Sequence, residues 1–226
     1  MTLALAAFTA TGILVATDVA PAGLRPRPGA ARRSDTALLA GPVSSVALAG
    51  HLGTRASNPT RPGPADLVAS VRSALGTAGA SGDVALAVRD AFERSAGSAR
   101  RGGTRPLGSP LVLQPLPRPL LTVALIAGRS PAGPRLYAVG LSAEGRCLLT
   151  EVDTPGTVYG PADVVLALEA AITAASGAPV DTVEGVLDAA INAAARCSRG
   201  STFARWRSRH VSAPSARALR GDAASE

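Results

Sequence analysis

The stretch MTLALAAFTATGILVATD (residues 1–18) sets a threonine directly behind the first methionine, runs through two short apolar segments and closes on Asp18. A threonine hydroxyl is a weak nucleophile until a base takes its proton. Removal of Met1 would expose an α-amine on Thr2, and an α-amine, with an unperturbed pKa near ~8, can accept a proton at neutral pH. Nucleophile and base would then sit on one residue, an arrangement suited to cleaving an amide. An internal threonine cannot do this, because its nitrogen is tied up in a peptide bond. The small Thr2 side chain is compatible with loss of Met1, and no longer cleaved leader is expected before it.

Other chemistry-bearing residues are few. His51 follows Gly50, but no partner carboxylate can be named for it, so it reads as a surface or packing residue. His210 and Trp206 lie in RWRSRH, which reads as a solvated edge strand before it reads as a contact for a neighbouring subunit or nucleic acid. Cys147 and Cys197 lack metal-ligand spacing and are too few for a disulfide framework, so a reducing cytoplasm is the expected setting. No metal and no cofactor is expected, and no glycine-rich phosphate loop occurs. Residues 1–17 are apolar enough to suggest a secretion signal, yet no basic residue precedes the run and Asp18 follows it. No apolar stretch reaches the about 18–20 residues of a membrane-spanning helix.

The formal net charge is +7, and all 23 basic residues are arginine, with no lysine anywhere in the chain. The arginines are dispersed apart from pairs such as Arg32–Arg33 and Arg100–Arg101 and a group after Arg196. Such a charge speaks to solubility and non-specific association rather than to a site. Without aromatic residues interleaved among the arginines, nucleic acid is not the expected partner.

These residues must be held by a scaffold that the patterning outlines. Strands are expected over residues 2–8 and 13–18, joined at Thr11–Gly12 as a hairpin, and again over 43–49. PAGLRPRPGAARRSD (21–35) and residues 102–119 read as loops. Helices are expected after the cap Asp66, with Leu67, Val71 and Leu75 on one face, and around Val84–Phe92. Strands follow over 120–127, 135–141 and 146–152, helices over 161–175 and 180–196, and a last strand over 201–211. Aromatic residues are only 3% of the chain, so the core must be built from Ala, Val and Leu. Runs of strands alternating with helix pairs argue for antiparallel sheets packed on helices and against a doubly wound parallel sheet. One domain over 1–211 with a disordered tail, 212–226, is expected.

Three pieces in this order resemble the β-type subunits of the proteasome family, which are N-terminal nucleophile hydrolases. TLALAAFTATGILVATD is similar to that family's first hairpin, SSVALAG to the strand ending in its oxyanion-hole glycine, and LTVALIAG with GPRLYAVGLSAEGR to its central strand pair. The resemblance implies an α+β fold, a four-layer αββα sandwich of two antiparallel sheets between helix pairs, assembled into homo- or hetero-oligomeric rings. It also implies Thr2 as nucleophile and base, Asp18 as the carboxylate that orients neighbouring charges, and the Gly50 N–H as donor to the oxyanion. The substrate of an active member would be a peptide.

The family's active members also place a lysine beside the threonine, and this chain has none. Counting forward from Thr2 lands near Ser34, beside Arg33, and counting back from Gly50 lands near Thr36. An arginine would keep the charge but cannot shuttle protons, and its fork has another shape. Where an accessory Asp-x-x-Ser-Gly pattern is expected the chain reads RCSRGS (196–201), and GTVYG (156–160) offers Thr157 where a serine is usual. Three readings stand: a catalytically impaired or silent ring subunit, an active threonine peptidase with Arg32 or Arg33 as charge partner, and an arginine-rich domain that binds an acidic partner without catalysis.

Overall fold

The computed structural model describes residues 3–18, 35–50, 67–99, 120–130, 132–142, 144–153, 155–160, 162–197 and 206–212. The opening hairpin is present as β1 (Ala4–Thr9) and β2 (Gly12–Asp18), paired from Ala4 opposite Thr17 to Thr9 opposite Gly12. The second sheet contains β3 (Asp35–Ala40), β4 (Ser44–Gly50), β5 (Leu120–Ser130), β6 (Gly133–Ser142) and β7 (Cys147–Glu151). These five pair as β3-β4-β5-β6-β7, each neighbour antiparallel. A short β8 (Gly156–Tyr159) and the late β9 (Trp206–Ser212) flank the first hairpin, giving the order β8-β1-β2-β9. Helices α1 (Leu67–Thr77), α2 (Ser81–Ala99), α3 (Ala162–Ala175) and α4 (Val180–Cys197) complete an α+β chain with two antiparallel sheets.

Two strands depart from the sequence expectation. Asp35 was expected to close a loop and instead starts β3, and the GTVY of β8 carried no strand expectation. The final strand is described over Trp206–Ser212, so it takes in the first residue of the expected tail (212–226); residues 198–205, the loop 102–119 and residues 213–226 lie outside the described part.

The apolar runs follow from burial of both faces of each sheet. Along β1 and β2, Leu3, Leu5, Ala7, Leu14 and Ala16 join Val164, Leu168 and Ile172 of α3 and Val183, Leu187 and Ile191 of α4. The alternate residues Ala4, Ala6, Ile13 and Val15 join Ala47, Ala49, Val123, Leu125 and Ala127 of the second sheet. The far face of that sheet, including Val46, Leu48, Ala124, Ile126 and Val139, packs on Leu67, Val71 and Leu75 of α1 and Val84, Val88 and Phe92 of α2. This is the period-2 alternation of a strand with apolar partners on both sides. Each fully buried Val or Leu side chain contributes about 1.5–3 kcal/mol.

One close approach ties the second sheet to α2. A Cβ on Gly128 would strike the Ser81 Cβ and come within 2.5 Å of the Ser44 Oγ, and both serines are buried. Gly128→Ala is expected to overpack this junction and lower stability by about 1–3 kcal/mol. A fall in the urea midpoint with an unchanged denaturant slope would bear this out, and an unchanged midpoint would refute the close packing.

Candidate functional site

Asp18 ends β2 and stands in register with Trp206 of β9. It is buried at 9% exposure, and its Oδ1 accepts a hydrogen bond from the Leu3 N–H at 2.8 Å. The Asp18 N–H in turn donates to the Leu3 carbonyl at 3.3 Å. Leu3 precedes the first residue of β1, so the carboxylate satisfies a backbone donor at the very start of the strand, one residue beyond Thr2. Leaving such a donor unmade inside a protein costs about 1–3 kcal/mol.

Gly50 ends β4, between Asp35 of β3 and Thr122 of β5 in register. Its φ is +114°, and a Cβ there would strike the Leu121 carbonyl oxygen. Both facts demand glycine: the backbone turns where L side chains are strained, and β5 leaves no room for one.

One long side chain links the two sheets. The Arg129 Nη2 donates to the Ser212 Oγ at 3.1 Å, and the Arg129 N–H donates to the Val43 carbonyl at 3.0 Å. Ser212 lies opposite Gly12, the first residue of β2, while Ser44, the first residue of β4, lies opposite Gly128. The starts of β2 and β4 therefore meet at one end. Each strand has seven residues, spanning ~20 Å at the strand rise. From that junction β2 runs on to Asp18 and β4 to Gly50, their last residues.

Thr2, Arg32, Arg33, Ser34 and His51 lie outside the described residues, as do Ser198–Ser201 of RCSRGS. Thr157 is described: it pairs with Ala6, while Tyr159 pairs with Ala4 and so lies nearer Leu3. The Thr157 Oγ1 is buried with no hydrogen-bond partner among the described residues. The residue that sequence counting passed over is Asp35, between Ser34 and Thr36, which the β3–β4 pairing sets opposite Gly50. No signal in the sequence could find it, since that placement depends on a strand the patterning does not announce.

The remaining reactive groups belong to packing. His210 Nε2 and Thr9 Oγ1 lie 3.0 Å apart at the Gly12 end, far from Asp18. Burial, and secondarily Glu93, push the half-buried Cys147 thiol up to about 11, so it stays protonated at neutral pH. Among the described residues no group of three or more His, Cys, Asp or Glu converges as a metal site, and no helix is long and apolar enough to cross a membrane.

No protein-family model and no curated protein matches the chain. Solved structures do. Anbu (ancestral beta-subunit) from Yersinia bercovieri superposes with a TM-score of 0.55 at 12% identity, over 93% of this chain and 82% of that one. The Gly-1 mutant of Anbu from Hyphomicrobium sp. strain MC1 gives a TM-score of 0.49 at 16% identity, over 94% and 87%, and carries no argument at that score. The first likeness is one of fold. It corrects the assignment to the proteasome β-type subunit family: the structure matched is an Anbu protein, a distinct family, and no family model matches the chain. The physical reason is that a leading hairpin, a strand ended by a glycine and a central strand pair are properties of the fold, which several families share.

Asp18→Ala is expected to lower stability by about 1–3 kcal/mol, because the Leu3 N–H loses its acceptor, whereas Asp18→Asn, which retains an acceptor oxygen, should lose clearly less. Urea unfolding of the two variants tests this, and equal losses would mean that the Leu3 bond contributes nothing of its own.

Proposed function

We propose that the chain is a proteasome-related ring subunit that keeps the backbone frame of an N-terminal nucleophile site and has lost the charge needed to run it. What supports the proposal is Asp18 on the Leu3 N–H and Gly50 at positive φ, together with a sequence free of lysine. In an active arrangement, Thr2 freed of Met1 would supply hydroxyl and base, Asp18 would orient the neighbouring charges, and the Gly50 N–H would donate to the oxyanion. A lysine ammonium beside the hydroxyl would favour its ionised form. Arg33 could keep that positive charge, but its guanidinium does not give up a proton and its fork is wider than an ammonium. A site that transfers acyl groups by moving protons is therefore left with a fixed charge in place of a tunable one.

The same reading takes residues 1–211 as one domain, with helix pairs covering the outer faces of two stacked sheets in four layers. The three apolar clusters, α3–α4 on the first sheet, sheet on sheet, and the second sheet on α1–α2, support that layering. The description of the Yersinia bercovieri relative as a β-subunit supports an assembled rather than a solitary chain. The partners would be copies of this chain or similar subunits, in the cytoplasm.

Two measurements on the purified protein test the proposal. Light scattering is expected to give a mass several times the 22.5 kDa of one chain. Fluorogenic peptides are expected to show no turnover beyond that of Thr2→Ala. A monomer would overturn the ring, and turnover lost in both Thr2→Ala and Arg33→Ala would overturn the silent site in favour of an arginine-assisted peptidase.

A further inference from the structure

The late strand β9 is the outer edge of its sheet: it pairs with β2, and among the described residues no strand pairs with its other side. Its side chains divide between two faces. Trp206, Ser208 and His210 are spoken for, by hydrogen bonds from the indole N–H to Asp188 at 3.0 Å, from the Ser208 hydroxyl to Glu184 at 2.6 Å, and between His210 and Thr9. On the alternate face, Val211 is buried in the cluster between the sheets, while Arg207 and Arg209 are exposed. Neither arginine has an ion pair among the described residues, in contrast to Arg89, which meets Asp90 and Glu93, and Arg135, which meets Glu151. Glu184 and Asp188 of α4 are engaged on the other face of the strand, by Ser208 and Trp206.

An unpaired edge offers main-chain donors and acceptors at strand spacing and invites another strand. Two arginines at positions i and i+2 stand ~6.8 Å apart on one face. A strand added to this edge would bring its own i and i+2 side chains directly opposite them, at the distance where unlike charges attract and like charges repel. A second copy's β9 would set arginine against arginine. Nucleic acid fits less well, because sequence-tolerant binding of a single strand relies on aromatic faces, and the chain's single tryptophan, Trp206, is turned away and held by Asp188.

We infer that the outer edge of β9 docks an extended acidic peptide segment, with carboxylates at alternate positions pairing with Arg207 and Arg209. The occupant is a partner strand of this chemistry, held by main-chain hydrogen bonds and selected by charge. The inference does not depend on whether Thr2 is active.

Trp206 lies in the docking strand and serves as the reporter. The full chain is titrated with a peptide alternating threonine and glutamate, and Trp206 emission and anisotropy of a labelled peptide are followed. The expected result is saturable binding that weakens about tenfold or more in Arg207→Gln/Arg209→Gln, and as much when the peptide backbone is N-methylated. Arg207→Glu/Arg209→Glu should instead take the alternating threonine–lysine peptide, which keeps the test valid against a mere folding defect. The inference is overturned by no binding, by binding indifferent to the two arginines or to N-methylation, or by a single-stranded oligonucleotide that binds more tightly through the same arginines.

Discussion

The contact between the two sheets is the constraint on which the rest depends. With aromatic residues at only 3%, the chain fills that layer with Ala4, Ala6, Ala47, Ala49, Ala127 and Ala138 beside Ile13, Val15, Val123, Leu125 and Leu136. Short side chains pack at full density only if the sheets approach closely and hold one register against each other. The bond from Arg129 to Ser212 marks that register at one end. From that junction β2 runs to a buried carboxylate, Asp18, and β4 to a positive-φ glycine, Gly50. The helices then cover what the sheets leave apolar, α3 and α4 on one side and α1 and α2 on the other.

What could be read in advance follows from how local each signal is. The β1–β2 hairpin was legible because two apolar runs flank Thr11–Gly12, and the helices because Val71, Leu75, Val84, Val88, Val183 and Leu187 recur at helical spacing. β3 was hidden: DTALLA is short, rich in Ala and Leu rather than β-branched residues, and follows a stretch of Pro, Gly and Arg. It is a strand because β4 pairs with it, which is a tertiary fact. β8 was hidden for a related reason, having four residues bounded closely by Pro155 and Pro161. The site inherited this division. Asp18 and Gly50 close strands that were legible, Asp35 opens a hidden one opposite Gly50, and Thr157 lies in the hidden β8 opposite Ala6.

The likeness to Anbu from Yersinia bercovieri extends over nearly the whole chain at 12% identity. At that distance the shared property is the fold, which tolerates wholesale exchange of apolar side chains as long as volume and patterning persist. Chemistry tolerates far less. The backbone turn at Gly50 and the strand end at Asp18 each have a duty in the fold itself, one in the close approach to β5 and the other on the Leu3 N–H. The chain contains no lysine, and the proposed silence of the site rests on that absence.

The most direct measurement of that claim is intact-mass spectrometry of the native chain before and after exposure to an electrophile selective for N-terminal threonine. The account predicts that a chain free of Met1 keeps its mass, because the Thr2 hydroxyl lacks an ammonium to favour its ionisation. A single stoichiometric adduct mapped to Thr2 would contradict it, and would mean that this chain activates its nucleophile without lysine.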